Sequence, residues 1–148
     1  MANVDIDSPS VQTSVTLLQG IISRMASNSA SSKAWCITLI SAIVVVVADK
    51  AQVCPDYVFV ALIPALLFFL LDCFYLGVER ELIKSYNVLI TKLQDGSATP
   101  KDLFTVALGL GVWNTIRSMA KGMWSFSTSP FYLLMAATIV IVRELILS

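Results

Sequence analysis

Histidine is absent from the 148 residues, which removes the most common general base and the most common metal ligand. Charge is scarce as well. Only 14% of the residues are Asp, Glu, Lys or Arg, and ten cations balance ten anions, so no basic excess exists to hold a phosphate backbone. Nucleic acid is therefore not an expected partner. The three cysteines, Cys36, Cys54 and Cys73, have no C-x-x-C spacing, which argues against a disulfide framework or a zinc cluster. Cys36 and Cys73 lie inside apolar segments and read as small buried hydrophobes. There is no Gly-rich phosphate loop and no G-x-S-x-G. Leu108-Gly-Leu-Gly-Val112 is a lone G-x-G, better explained by close helix packing than by a nucleotide. The expectation is no catalytic residue, no metal, no cofactor and no enzyme.

What the chain has in quantity is hydrocarbon. It is 57% hydrophobic with a mean hydropathy of +0.80, well outside the range of ordinary water-soluble domains. The run from Tyr57 to Leu76 is long enough to cross a bilayer and contains one charge, Asp72. An acid at membrane depth is costly and marks a functional or assembly site by default. Pro64 lies within the same run and is expected to kink the helix or loosen its backbone bonding. A shorter span, 34–48, precedes it, bracketed by Lys33 and by Asp49 and Lys50. With its lysines snorkelling, that span is also long enough to cross. A tight hairpin around Cys54-Pro55-Asp56 joins the two.

The flanking segments are amphipathic. Ser8-Pro9 suits an N-cap and first turn, and Val11, Val15, Leu18, Ile22 and Met25 then form one stripe of a helix. Gln12, Thr13, Ser14, Thr16, Gln19 and Ser23 occupy the other side. The small-residue stretch 26–32 is expected to end or bend this helix. After Gly77, the residues Leu82, Ile83, Tyr86, Leu89, Ile90 and Leu93 again share one side, as an amphipathic continuation of the second span. Asp95-Gly-Ser-Ala-Thr-Pro100 is a terminator. From Lys101 to Phe126 an interfacial helix is favoured over a crossing, since Arg117 and Lys121 oppose the apolar stripe and Trp113 and Trp124 suit headgroup depth. Pro130 to Leu147 is expected to be a third crossing, with a re-entrant or surface-lying tail as the alternative.

Eight of the ten Lys and Arg residues fall before the first span or between Gly77 and Pro130, while Lys50 and Arg143 lie on the other side. The positive-inside rule then places the N-terminus and the middle region in the cytoplasm, and the 49–56 hairpin and the C-terminus outside. This topology brings Arg24, Asn28 and Lys33 to the level of Asp72, Tyr75, Glu79 and Arg80. Asp72 should lie within reach of Lys33, and Asp72 and Glu79 share a face that could hold Lys33 and Arg24 as a ladder. Two readings stay open: a clamp for the helical hairpin, or an ion or ligand gate.

The same residues carry a resemblance. Arg24-Met25, Asn28-Ser29, Lys33 and Trp35, followed by Leu71-Asp72, Tyr75-Leu76 and Glu79-Arg80, resemble the signature of a family of small uncharacterised bacterial membrane proteins. In that family a two-span hairpin precedes an amphipathic helix, and the chain ends in an apolar segment like Ser129-Pro130-Phe131-Tyr132. Around Glu81 to Tyr86 this chain keeps the family pattern only in part. The layout is more loosely similar to the SLATT-type membrane proteins of prokaryotic conflict systems. That likeness implies a pore-forming effector.

The expected fold is all-α and polytopic. It comprises an N-terminal cytoplasmic amphipathic helix (1–33), a transmembrane hairpin (34–76), a cytoplasmic or interfacial helical region (77–129) and a C-terminal transmembrane segment (130–148). Three short spans enclose no pathway alone, so a homo-oligomer is expected, with small-residue faces at Ser41-Ala42 and Ala136-Ala137-Thr138. The expected function is a channel-like or permeabilising effector of the bacterial inner membrane. It would be gated from the cytoplasm by a protein or small-molecule trigger, in defence or stress, with Asp72, Glu79, Arg80 and Lys33 holding the resting state. The alternative is a non-conducting scaffold or sensor that anchors a cytoplasmic partner.

Overall fold

The computed structural model describes residues 7–49, 55–104 and 128–146. Helix α1 is Pro9–Ala48, a 3-10 helix covers Pro55–Ala61, α2 is Leu62–Gln94 and α3 is Ser129–Ile146. No strand occurs among the described residues, in keeping with an all-α chain. The element expected over 101–126 lies outside the described residues beyond Phe104, as do Cys54 and the centre of the 49–56 hairpin.

Helix α1 starts as its sequence dictates, with Ser8 extended at the N-cap and Pro9 in the first turn. It does not end at the small-residue stretch. Its 40 residues run through 26–32 without a break, about 60 Å at ~1.5 Å per residue. Serines weaken helices when their hydroxyls compete for backbone bonds, and the Ser32 hydroxyl does bond back to the Asn28 carbonyl at 2.9 Å. The Ser29 hydroxyl instead reaches across to α2. Ser29, Ser32, Cys36 and Ile40 are all buried, so the stretch read as a break is the face on which α2 docks. Small side chains permit that close approach, as do Cys73 and Gly77 opposite.

Pro64 sits beside a change of helix type. The chain passes directly from the 3-10 helix into α2, so that Pro64 is the third residue of the α-helix and lies inside a helical run that is continuous from Asp56 to Gln94. The switch from 3-10 to α geometry falls just before this residue, which has no N–H to donate. Helix α2 itself runs 33 residues, past Gly77, so its apolar and amphipathic halves form one rod. It stops where the terminator predicts. Gly96 adopts φ 67°, the Ser97 N–H returns to the Lys92 carbonyl at 2.9 Å and the Gly96 N–H to that of Leu93 at 3.3 Å, which is a Schellman cap.

Two apolar clusters hold the bundle. At one end, Cys36, Ile40, Val58, Ala61, Ala65, Tyr132 and Ile139 join α1, the 3-10 helix, α2 and α3. At the other, Val11 and Leu18 of α1 meet Leu89 and Leu93 of α2 and Ala98 and Leu103 of the following turn. Ser14, expected on the polar side, is instead buried and accepts the Phe104 N–H at 3.1 Å. This bond ties the 95–104 turn to α1. Helix α3 runs antiparallel to α2, since Tyr132 packs edge-on against Phe69 with ring centres 5.3 Å apart while Arg143 pairs with Asp56 at 3.1 Å. The end of α3 and the α1–α2 link therefore lie at the same end of the bundle.

Two helical segments, Pro9–Ala48 and Asp56–Gln94, are long and apolar enough to cross a membrane.

Candidate functional site

The acid singled out from the sequence is fully buried, with Asp72 at 0% exposure on the face of α2 that meets α1. Three side chains converge there. The Ser29 hydroxyl donates a very short hydrogen bond to Asp72 Oδ1. The Lys33 ammonium lies 2.7 Å from Asp72 Oδ2 and donates a 3.1 Å hydrogen bond to Ser29 Oγ. The contact with Oδ2 lacks hydrogen-bond alignment, so the attraction there is coulombic. Ser29 and Lys33 are i and i+4 on α1 and so share a face, which lets one carboxylate engage both. The Lys33 side chain retains 17% exposure, enough to keep contact with the surroundings through its stem.

Of the other residues expected here, the structure brings few to Asp72. Arg24 is exposed and makes no ion pair among the described residues. The cause is helical phase. Nine residues at ~100° each put Arg24 about half a turn away from Lys33, so both cannot face α2. Glu79 does share a face with Asp72, but a heptad below Ser29 and Lys33 the α1 positions are Ile22 and Ala26, neither charged. The ladder is reduced to the single rung of Lys33 and Asp72. Asn28 contributes its carbonyl to Ser32, Tyr75 stacks edge-on with Phe74 at 5.9 Å between ring centres, and Arg80 is half-buried.

Ser29 is the member that charge-based reading passes over. A serine in a small-residue stretch carries no charge signal, although Ser29 belongs to the Asn28-Ser29 pair of the signature and its i, i+4 spacing to Lys33 puts both on one face. Tyr132 is the second. It is 8% exposed, and both its hydroxyl and that of Thr128 are buried with no hydrogen-bond partner among the described residues. Cys36 and Cys73 are buried free thiols, as expected for small core residues.

No protein-family profile, curated protein or solved structure matches this chain. The chemistry of the site must speak for itself. Its one carboxylate is engaged by a cation and a hydroxyl, an arrangement suited to holding two helices in register and to changing state when that charge is exposed or neutralised.

A second polar arrangement sits at the far end of α2. Asp102 accepts from the Lys92 ammonium at 2.6 Å, and from the Thr99 hydroxyl at 2.6 Å and the Thr99 N–H at 2.9 Å. The Lys92 bond first, then those from Thr99, hold its carboxyl well below the usual carboxylate range.

Proposed function

We propose that the chain is a polytopic protein of the bacterial inner membrane whose copies assemble into a channel-like or permeabilising effector, gated from the cytoplasmic side in defence or stress. Support for the membrane begins with the outward faces. Only 17% of the apolar window of α1 and 28% of that of α2 is buried within the protein, whereas the core helix of a water-soluble fold is mostly buried. Ile37, Leu39, Val45 and Val46 of α1 and Leu66, Leu67, Leu70 and Leu71 of α2 are all exposed. A surface of that extent needs hydrocarbon or other copies against it. Helix α3, about 27 Å long for its 18 residues, is then a third crossing. Its Arg143 contact with Asp56 suits a C-terminus on the outer side, with the α1–α2 link.

The observation that carries the reading is the buried Ser29–Asp72–Lys33 cluster. It joins two helices that both run well beyond it, and in this reading it lies at the inner boundary of the hydrocarbon with the helices continuing into a cytoplasmic layer. The pair fastens α1 to α2, so a change in its charge state would be felt by both helices. One apolar cluster joins the three helices, and in this reading the pathway lies between copies. Ser41, Ala42, Ala137 and Thr138 are exposed and small enough for helices of neighbouring copies to approach closely.

The test is induced expression in bacteria loaded with a voltage-sensitive dye. The wild-type chain is expected to depolarise the cells, and Asp72→Asn to change the threshold in either direction. No depolarisation at any expression level would favour a non-conducting scaffold.

A further inference from the structure

On the surface of α2 beyond the hydrocarbon boundary, a groove of about 320 Å³ runs between the helix and the turn that follows it. Lys84, Lys92 and Lys101 line it together with Glu81, Ser85 and Asp102, and Val88 and Leu89 form an apolar wall. Its volume falls at the small end of ligand pockets, and a few convergent polar groups against an apolar wall are the usual make-up of one. Three ammonium groups in one groove suit an anion with several oxygens.

We infer that this groove binds a small phosphate-bearing molecule, the phosphate meeting Lys84, Lys92 and Lys101 and a less polar portion lying on Val88. The existing contacts allow it. Lys84 is held by Glu81 at 2.7 Å and Lys92 by Asp102 at 2.6 Å, and a dianion can replace both carboxylates as the partner of the lysines. Asp102 would not be stranded by the exchange, because it keeps the two hydrogen bonds from Thr99.

The phosphate could belong to a soluble molecule or to a lipid headgroup. Distance favours the former. Lys84 lies about 12 Å and Lys92 about 24 Å along α2 from Leu76 at ~1.5 Å per residue, whereas each headgroup layer is only about 6 Å deep. The inference goes beyond the proposed function and needs no conduction to be true.

The experiment is calorimetric titration of the full chain, in zwitterionic detergent at low salt, with pyrophosphate. Saturable binding is expected, weakened roughly tenfold or more by Lys84→Gln or Lys101→Gln, the loss typical of one charge-assisted hydrogen bond. Lys84 is 64% exposed, so its replacement leaves the fold intact, and unchanged melting in detergent checks this for both variants. Repeating the titration in nanodiscs of phosphatidylcholine and of phosphatidylglycerol identifies the source. Competition by the anionic lipid assigns the site to a headgroup, and equal affinity in both assigns it to a soluble ligand. Absence of saturable binding by the wild-type chain, or equal affinity in both lysine variants, overturns the inference.

Discussion

Replacing Lys33 by methionine removes the cation that, among the described residues, pairs with a carboxylate that is 0% exposed. Breaking a buried pair from one side leaves an uncompensated charge and costs about 3–5 kcal/mol, more than the intact pair contributes over an apolar substitute. Asp72→Asn should cost less, about 1–3 kcal/mol. The Lys33 side chain is already 17% exposed and can carry its ammonium to the interface, and an amide oxygen can still accept from Ser29. The double variant Lys33→Met with Asp72→Asn should cost only about 1 kcal/mol, so that single losses at the low ends of these ranges, about 3 and about 1 kcal/mol, already give a coupling of about 3 kcal/mol in a double-mutant cycle. That figure is diagnostic, because neutral polar pairs in membrane proteins average about 0.6 kcal/mol. Reversible unfolding of the detergent-solubilised chain by titration with a denaturing surfactant measures all four species. Additive single effects, or Asp72→Asn proving costlier than Lys33→Met, would refute the assignment of this pair as the buried fastening of α1 to α2.

Ser29→Ala removes a charge-assisted hydrogen bond to Asp72, and in the same unfolding assay should cost about 1.5–3 kcal/mol. Gly96→Ala forces a side chain into the left-handed region at φ 67° and should cost about 1–2 kcal/mol, read from the same midpoint. Because the Asp102 carboxyl is depressed in the folded chain, its stabilisation is complete above the ordinary carboxylate range and is lost only as pH falls through the lowered value. Amide exchange at Thr99, corrected for its intrinsic rate, should thus show the same protection at pH 7 and at pH 5, and Asp102→Ala, which removes the acceptor, should abolish that protection at both.

Much of the architecture is legible in the chain itself. The two long apolar segments, the amphipathic stripe ending at Leu93 and the stop at Gly96 follow from periodicity and turn chemistry. The meeting of Lys33 with Asp72 follows from matching depths along two antiparallel helices. The fate of residues 26–32 does not. Ser and Ala in sequence read equally as a break or as a close-packing face, and only the arrival of α2 decides between them. Arg24 is kept from the pair by the rotation of α1 about its axis, which depth along the helix ignores, and Glu79 shares the face of Asp72 but finds only the uncharged Ile22 and Ala26 at its level on α1. The burial of Ser14 has the same origin, since its partner is a backbone N–H ninety residues away.

Neither α1 nor α2 is interrupted by a loop along its length. Each behaves as a stiff beam, and the buried charge pair lies near the middle of α1, in the place of a fulcrum. A rocking of only about 5° on that pivot would swing the Pro9 end of α1 sideways by roughly 3 Å, using a ~30 Å arm. The Ala48 end would move by a similar amount the other way. A push on one end of the helix would thereby reach the other without any segment unfolding.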